Sequence, residues 1–260
     1  MACETLHIID DRSGVTFLTL NRPDKRNALS AKMIAELTEF ALDMTRNLTA
    51  RAVILRGEGP VFCAGGDLEW MHAQINADRE TRIAEARKLA MMFNALNEMP
   101  VPLIGQIHGA AMGGGVGLAC VCDVVITADT AMFGLTETRL GLIPATIGPY
   151  VVARLGEGAT RRVFMSSRRF DATEARSLGL VADVVSEADL SERAMREATP
   201  YLNVAPRAVG AAKAMARELG PPITPAMIDA SIEALADIWE ANEAAEGIAA
   251  FLEKRAPVWD

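Results

Sequence analysis

HGAAMGGGVGL, residues 108–118, and FCAGGDL, residues 62–68, are the two Gly-rich segments from which the architecture of this 260-residue chain is best derived. Each predicts a tight turn that leads directly into a helix. The first N–H groups of a helix have no partner within it, and the helix dipole favours negative charge at that end. Two such turns in one chain indicate a site where backbone donors stabilise negative charge.

The residues on the N-terminal side of these turns alternate between predicted strands and helices. β-Branched and apolar residues predict the strands LHIIDD (6–11), VTFLTL (15–20) and AVILRG (52–57), with Ser13-Gly14 as a hairpin signal after the first. Ser30 is the predicted N-cap of an amphipathic helix. Its apolar face recurs every three or four residues, at Met33, Ile34, Leu37, Phe40, Ala41 and Met44.

The same alternation continues around the second turn. A helix is predicted over about 78–97, ended by Pro100 and Pro102, and the strand LIGQIH (103–108) follows. A short apolar helix comes after the glycines at 113–115, and the strand VVITA (124–128) starts the next unit. The order of strand, turn and helix therefore repeats.

The character of the chain changes beyond Asp171. A helix is predicted at 172–178, a last strand in LVADVV (180–185), and helices with proline breaks from Ser191 onward. We therefore predict a core domain at 1–199 and a C-terminal helical region at 200–260.

Helices near 224–240 and 242–256 carry apolar faces that a small tail buries only against another surface, which predicts self-assembly. These faces comprise Met227, Ile228, Ile232, Leu235, Trp239, Ile248, Phe251 and Leu252.

Composition excludes several classes of function. The formal charge is −8 and half of the residues are apolar, so a basic surface for nucleic acid is not expected. No stretch approaches the roughly 20 consecutive apolar residues of a membrane span. The N-terminus carries acids where a secretory signal would be basic, so a cytoplasmic location is expected.

Cysteine and histidine patterns predict neither a disulfide scaffold nor a metal site. The four cysteines lack the paired spacing of zinc ligands, and we expect reduced, mostly buried thiols. His7, His72 and His108 form no metal-ligand motif. We expect His108, next to a Gly-rich turn, to be satisfied by backbone at the end of a strand.

Further motifs identify the chain with one family. They are NRP-x-x-x-NAL from Asn21, CDVVITADTAMFGLTETRLGLIP at 122–144, DATEARSLGLV at 171–181 and the FLEKRAPVW ending. Together with both Gly-rich turns, they make the chain resemble the enoyl-CoA hydratase/isomerase (crotonase) family over essentially its whole length. The resemblance implies an α/β fold, a spiral of ββα units with a C-terminal all-helical region that packs trimers, often paired into hexamers.

The resemblance also implies an oxyanion hole. The N–H groups of Gly66 and Gly114 would point at the carbonyl oxygen of a coenzyme A thioester and stabilise an enolate as its charge develops. Coenzyme A is then part of the substrate, and no separate cofactor is expected. The residues implied to bind the substrate or its coenzyme A are Lys25, Arg26, Ala28, Ala64, Gly65, Asp67 and, reaching a neighbouring subunit's nucleotide, Phe251 and Lys254.

Acid/base chemistry in this family comes from two glutamates, and only one has a counterpart here. Glu137, in FGLTETRLG, matches the second family position, whereas Gly117 occupies the first. A carboxylate that works as general acid and base contributes roughly 10²- to 10⁴-fold to the rate. We therefore predict Glu137 as the catalytic carboxylate and Gly117 as the site of a missing one.

Two activities follow from this pattern. A single base suffices to move a proton between two carbons, which favours a Δ3,Δ2-enoyl-CoA isomerase, while hydration would require Glu137 to handle both water and the C2 proton. However, CAGGDLEWM (63–71) and GLIPATIGPYVVARLG (141–156) are most similar to bacterial hydratases of methylglutaconyl- or isohexenylglutaconyl-type CoA esters. We predict an enoyl-CoA hydratase of fatty-acid or branched-chain acyl-CoA degradation first, and the isomerase second.

A non-catalytic coenzyme A binder is the alternative outside catalysis, and Glu137 with both intact turns argues against it. A serine hydrolase is excluded because no GxSxG motif is present, and a phosphate loop because GAAMGGG lacks the Gly-Lys-Ser/Thr ending. The expected partners are an acyl-CoA thioester and further copies of the chain, with neither nucleic acid nor membrane. The apolar residues Trp70, Met71, Met91 and Met92 fit either the wall of the acyl pocket or the core, and we prefer the core.

Overall fold

The structure is a computed structural model that describes residues 3–259. In chain order its strands are β1 (Leu6–Asp10), β2 (Val15–Leu20), β3 (Ala52–Gly57), β4 (Leu103–Ile107), β5 (Ala110–Met112), β6 (Val124–Ala128), β7 (Met132–Gly134), β8 (Arg169–Asp171) and β9 (Asp183–Val185). Its α-helices are α1 (Ala31–Arg46), α2 (Leu68–Ile75), α3 (Arg79–Glu98), α4 (Gly114–Val121), α5 (Gly148–Phe164), α6 (Ala172–Ser177), α7 (Leu190–Ala198), α8 (Pro206–Leu219), α9 (Pro225–Trp239) and α10 (Asn242–Leu252).

Six strands form the larger sheet, in the order β1-β2-β3-β4-β6-β9. The first pair is antiparallel and the other pairs are parallel. Gly14 closes the turn of the first pair at φ 97°, a conformation that glycine adopts without strain, so the Ser13-Gly14 hairpin is confirmed. All five residues of β4 are buried, as is typical of a parallel strand covered on both faces.

Three short strands form the smaller sheet, in the order β5-β7-β8. The chain places β4 in the larger sheet, β5 in the smaller one and then forms α4; β6, β7 and α5 repeat this order. The predicted spiral of ββα units is thereby confirmed, and each unit ends with a turn from the smaller sheet into a helix.

The start of α1 agrees with its prediction. The Ser30 hydroxyl accepts a hydrogen bond from the Met33 N–H at 3.3 Å, so Ser30 is the N-cap. Met33, Leu37 and Ala41 on the predicted apolar face are buried in the main core.

Several predicted bounds are wrong. Only 183–185 of the predicted strand 180–185 is strand, because the N–H groups of Leu180 and Val181 bind the Ala175 carbonyl at the end of α6. The last helix ends at Leu252 rather than at residue 256, since Lys254 adopts φ 56°.

The C-terminal helices pack on the core of their own chain. Ile228 and Ile232 of α9 and Ile248 of α10 are buried in a cluster with Ala86 and Ala90 of α3. The expectation that these faces need another subunit is therefore wrong for Ile228, Ile232, Leu235 and Ile248, half of the eight apolar residues on these faces. Large apolar side chains that remain exposed in this region are Val204, Met215, Leu219, Met227, Phe251, Leu252, Val258 and Trp259.

The cysteines are free thiols in the structure. Cys63, Cys120 and Cys122 are buried and Cys3 is half-buried, all as free thiols, as predicted. Between residues 3 and 259, no helix combines the length and the apolar character that a bilayer crossing requires.

Candidate active site

Backbone hydrogen bonds join the two Gly-rich turns side by side. Cys63 N–H donates to the Ala110 carbonyl at 3.1 Å, and Met112 N–H donates to the Cys63 carbonyl at 3.0 Å. As a result, a Cβ atom added to Gly65 would lie 3.7 Å from the backbone nitrogen of Gly114. Two segments far apart in sequence thus present their glycines to one small space.

The N–H groups of Gly66 and Gly114 are free in this arrangement. Leu29 N–H donates to the Gly65 carbonyl at 2.8 Å and Asp67 N–H to the Leu29 carbonyl at 3.2 Å, and this pattern skips Gly66. Gly114 is the first residue of α4 and has no acceptor within the helix. No hydrogen bond between residues 3 and 259 engages either N–H, so both can donate to an oxygen placed between the turns.

Glu137 is brought to the same space by the 3-10 helix Glu137–Leu140, which follows β7. A Cβ atom on Gly113 would lie 3.0 Å from Glu137 Oε1. Gly113 has φ 48°, so this position excludes a side chain both by its conformation and by the approach of the carboxyl group. The structure therefore brings Glu137, Gly66 and Gly114 together.

Burial sets the protonation of Glu137. The residue as a whole is half-buried, but its Oε2 atom is buried and has no hydrogen-bond partner within residues 3–259. Loss of hydration raises the pKa of Glu137 to about 7, against a smaller opposing effect of the backbone N–H groups of Glu137 and Thr136. A carboxyl group that titrates near neutral pH and has one unpartnered oxygen is a candidate acid/base group.

The surroundings of Gly117 are apolar and filled. A Cβ atom at this position would overlap Ile147 Cγ2 and would lie 2.9 Å from Phe93 Cζ. Both of these side chains are buried. The sequence showed that a carboxylate is missing here, but not that Ile147 and Phe93 take the space beside it.

The residues predicted to bind coenzyme A lie along the first turn and the segment before it. Lys25 forms an ion pair with Glu69 at 3.2 Å, and both side chains are exposed. Exposed Ala64 donates its N–H to the Arg26 carbonyl at 3.0 Å, which ties the two stretches together. Ala28 is buried. Their contact with coenzyme A stays a prediction.

Asp67 has a structural environment that the sequence did not reveal. Its carboxylate is buried, accepts hydrogen bonds from Glu69 and Trp70 as the N-cap of α2, and pairs with Arg22 at 2.7 Å. Arg22 holds the pKa of Asp67 below its usual value, although burial acts in the opposite direction. The expectation of a free helix end after the first turn is therefore wrong, because Asp67 caps it; the Gly66 N–H precedes the cap and stays free.

Asn27 is the other residue that orders this segment. It is fully buried at φ 54°, and its side-chain amide donates to the carbonyls of Glu58 at 2.8 Å and Val61 at 2.9 Å. The NRP-x-x-x-N motif therefore builds the frame of the first turn. His108, as predicted, is satisfied by backbone, with Nε2 2.7 Å from the Gly59 carbonyl.

The remaining candidates fall in different places. Met71 lies beside the site, since a Cβ on Gly66 would be 3.6 Å from Met71 Sδ, whereas Met92 belongs to the core. Phe251 and Lys254 are exposed at the end of α10. Their predicted role toward a neighbouring subunit stays a prediction.

A large cleft lies in a different region. It has a volume of about 1270 Å³, lies between α8 and the core and contains none of Gly66, Gly114 and Glu137. Two of the cations that line it form ion pairs, Lys213 with Asp123 at 2.7 Å and Arg217 with Glu98 at 3.1 Å. The candidate active site lies instead where free backbone N–H donors and a carboxyl group with a raised pKa come together. These features indicate catalytic chemistry, whereas the volume of a cleft does not. Within residues 3–259, no three potential ligands among His, Cys, Asp and Glu cluster to hold a metal ion.

Comparison with known proteins gives consistent matches over the full length. The sequence model of the enoyl-CoA hydratase/isomerase family matches residues 10–260. Mouse enoyl-CoA hydratase domain-containing protein 2 is 34% identical over 253 residues, which cover 94% of this chain and 83% of that protein.

Two solved structures are similar to this chain over nearly its whole length. An enoyl-CoA hydratase/isomerase from Marinobacter aquaeolei is 37% identical with a TM-score of 0.79, covering 99% of each chain. AtuE of Pseudomonas aeruginosa is 39% identical with a TM-score of 0.79, covering 98% of this chain and 99% of its own.

Proposed function

The chain belongs to the enoyl-CoA hydratase/isomerase family, and on that premise we propose that it is an enoyl-CoA hydratase, which adds water to a 2-enoyl-CoA thioester. One observation carries the proposal: the Glu137 carboxyl group, one oxygen of which is buried without a partner, lies against the turn that brings Gly114 beside the first Gly-rich turn, and the N–H groups of Gly66 and Gly114 are free. Addition next to a thioester needs both, since a proton must move while charge develops on the carbonyl oxygen.

The N–H groups of Gly66 and Gly114 are the proposed donors to the thioester oxygen. Both are backbone groups held by the hydrogen bonds that join the turns, so they need little reorganisation as the enolate forms. Gly114 also lies at the N-terminus of α4, whose dipole favours the developing negative charge.

Glu137 supplies the proton chemistry in this proposal. Its carboxylate takes a proton from water as the water oxygen bonds to C3, and the electron pair of the C2–C3 double bond moves through C1 onto the thioester oxygen. The enolate then takes that proton from Glu137 at C2, which restores the carbonyl and the carboxylate. A pKa of about 7 keeps both protonation states accessible near neutral pH.

The surroundings of Gly117 support a second candidate, a Δ3,Δ2-enoyl-CoA isomerase. Ile147 and Phe93 occupy the space into which a second carboxylate would project, so no acid/base group from that position can orient water. An isomerase would use Glu137 to remove a proton at C2 of a 3-enoyl ester and return it at C4. We rank it second because segments 63–71 and 141–156 resemble bacterial hydratases.

The substrate proposal has two parts. Lys25, Arg26, Ala28 and the 64–67 segment would line the coenzyme A channel, with coenzyme A entering only as part of the substrate. A branched or glutaconyl-type acyl group, from fatty-acid or branched-chain degradation, rests on the resemblance of segments 63–71 and 141–156 to such hydratases.

Self-association, as a trimer or a pair of trimers, also belongs to the proposal. Met227, Phe251 and Leu252 remain exposed on α9 and α10, and no residue of α8 is fully buried in its own chain. Apolar surface of this kind marks contacts between subunits. Sedimentation should give a trimer or hexamer, and a stable monomer at micromolar concentration would refute the assembly.

The test of the activity is a panel of straight-chain and branched 2-enoyl and 3-enoyl CoA esters, glutaconyl-type esters included, assayed in water labelled with heavy oxygen. A hydratase converts a 2-enoyl ester into a 3-hydroxyacyl ester that is heavier by one labelled water. An isomerase converts a 3-enoyl ester into a 2-enoyl ester without a change in mass. Label-free isomerisation throughout would promote the second candidate, and no turnover of any ester would favour a coenzyme A binder without catalysis.

A further inference from the structure

The turn that carries Glu137 is fixed by a hydroxyl group from outside the site. Ser167 Oγ accepts a hydrogen bond from Arg139 N–H at 3.0 Å and lies 2.7 Å from Thr138 Oγ1, with which it shares a second hydrogen bond. Thr138 and Arg139 directly follow Glu137 in the 3-10 helix. One serine thus bonds to the two residues that follow Glu137 in the chain.

Ser167 has an unfavourable backbone conformation. Its φ is 48°, in the left-handed region that glycine adopts freely and that a residue with a Cβ adopts at a cost. Strained residues of this kind persist where the surrounding structure fixes them, often close to functional sites. Glycine would remove the strain but also the hydroxyl, so the serine's contribution here is its pair of hydrogen bonds.

On another side, α10 packs against the end of the same turn without intervening side chains. A Cβ on Gly247 would overlap the Leu140 carbonyl carbon and would lie 2.9 Å from Gly141 N. A Cβ on Gly141, at φ 68°, would overlap the carbonyl oxygen of Glu243. The two backbones therefore touch at a pair of glycines.

This contact is connected to Glu137 within one turn. The Leu142 N–H donates to the Glu137 carbonyl at 3.1 Å, so the residue after Gly141 holds the backbone of Glu137. Ile248, next to Gly247, is buried in the same cluster as Leu142. A shift of α10 would therefore pass through Leu140–Leu142 to Glu137.

We propose that the Glu137 turn is clamped between the Ser167 hydroxyl and α10 at Gly247, and that these two contacts keep the Glu137 carboxyl group beside the paired Gly-rich turns. Ser167 and Gly247 are positioning residues, since neither touches the space between those turns. The inference rests on the acid/base role given to Glu137 in the proposed function.

Loosening the clamp lets water reach the carboxyl group. Burial is the main cause of the raised pKa of Glu137, and no charged side chain contributes to it. A mobile turn should therefore lower this pKa toward the ordinary value of 4.5. It should also lower kcat roughly 10- to 100-fold through misplacement of the carboxyl group, while KM changes little.

Two substitutions at one position separate positioning from stability. Ser167→Ala removes the hydroxyl and keeps the strain, whereas Ser167→Gly removes both. We expect both variants to lose kcat to a similar extent, with the Tm of Ser167→Gly at or above that of the wild type and the Tm of Ser167→Ala below that of Ser167→Gly. Ser166→Ala is the matched control, because the exposed Ser166 hydroxyl reaches only the Arg162 carbonyl, at 3.5 Å.

The α10 half of the clamp has its own variants. Gly247→Ala inserts a methyl group between the two backbones, and Gly158→Ala is its control because nothing lies within 4 Å of a Cβ there. If Gly247→Ala does not fold, Ile248→Val decides this half, since it loosens the packing of α10 by one methyl group. Either variant should lower kcat and the pKa of Glu137 together.

The deciding measurement is independent of turnover. Protein labelled with carbon-13 at the glutamate side-chain carboxyl is titrated by NMR, and the Glu137 signal is assigned as the one that Glu137→Gln removes. The wild-type midpoint should lie at about 7, and Ser167→Gly and Gly247→Ala should lower it by roughly one unit or more.

The outcomes distinguish the clamp from the proposed function. Full activity of Glu137→Gln, with a lowered midpoint in the clamp variants, would overturn the role of Glu137 and leave the clamp standing. An inactive Glu137→Gln, with wild-type kcat and midpoint in Ser167→Gly and in the α10 variant, would overturn the clamp.

Discussion

Two neighbours of the turn at 113–115 differ in what surrounds them. Glu137 brings Oε1 against Gly113, and its Oε2 atom is buried without a partner. Gly117, one turn further along α4, faces the packed side chains of Ile147 and Phe93. Glu137 thus has an unpartnered polar atom, whereas Gly117 faces closely packed apolar side chains.

The absence of a carboxylate at position 117 is therefore a property of the packing around Gly117 as well as of the residue itself. A glutamate placed there would have to displace Ile147 and Phe93 and would carry its charge into an apolar region. Glu137, by contrast, keeps a protonatable carboxyl group near neutral pH. Proton chemistry in this site is therefore expected from one side only.

Loss of the Glu137 carboxyl group should reduce activity more than any other change if Glu137 is the sole acid/base group. Glu137→Gln keeps the shape of the side chain but cannot exchange a proton, so we expect kcat to fall roughly 10²- to 10⁴-fold while substrate binding persists. Steady-state kinetics with the substrate from the CoA ester panel measure both quantities. Glu80→Gln, an exposed carboxylate on α3, is the control. Near-wild-type turnover of Glu137→Gln would contradict this expectation, because another acid/base group would then have to move the proton.

Loss of the free Gly66 N–H should have the next largest effect on activity, because we propose that this group donates to the thioester oxygen. Gly66→Pro removes the free N–H, and we expect kcat to fall roughly 10²- to 10³-fold. Gly66→Ala is a close control, because its Cβ would lie 3.6 Å from Met71 Sδ, an ordinary contact, and its N–H remains. Folded Gly66→Pro with full activity would show that the oxyanion is held elsewhere.

The sequence predicts the parts of this molecule that repeat or pair locally. The longer strands, the hairpin at Gly14 and the Ser30 cap follow from alternation, turn residues and capping preference. Resemblance pointed to Glu137, Gly66 and Gly114, and the fold brings all three together. Their spacing in the chain could not have shown that contact, which depends on the hydrogen bonds between Cys63 and the strand at 110–112.

What the sequence did not predict depends on tertiary contacts. The strands of the smaller sheet have three residues each, too few for a periodic signal, and exist because they pair with one another. Asp67 reads as a polar residue in a turn, yet it is buried on Arg22 as a helix cap. Ile147 carries no signal of its own, and only the fold places it against Gly117.

A third prediction uses the pH dependence of stability to test the burial of Glu137. Its pKa is about 7 in the folded protein, against 4.5 for an ordinary glutamate, so the folded state binds more protons than the unfolded state between these values. The free energy of unfolding should therefore fall as pH rises from 4.5 to 7 and then level off, in a contribution on the order of 3 kcal/mol.

Glu137→Gln removes this contribution. The variant should match the wild type at low pH and be more stable above pH 7, in chemical denaturation series measured across that range. Equal stability at every pH would mean that the carboxyl group is hydrated, and the contrast between the two neighbours of the turn would lose its physical basis.

A methyl group added at Gly117, next to the apolar side chains, should have the smallest effect. Gly117→Ala adds one methyl group that overlaps Ile147 and approaches Phe93, so we expect it to destabilise the fold by about 1–3 kcal/mol. Gly158→Ala in α5 has open space around its Cβ and should be neutral or slightly stabilising, since alanine favours a helix by about 1 kcal/mol over glycine. Thermal unfolding of these two variants separates the effect of packing from that of helix propensity.

A double variant tests whether Ile147 restricts position 117. If Ile147→Ala is added to Gly117→Ala, the space that the isoleucine vacates should accept the methyl group, and the double variant should lose less stability than the sum of the two single losses. Additive losses would mean that Ile147 does not restrict position 117, and the absence of a carboxylate there would then be a matter of residue identity alone.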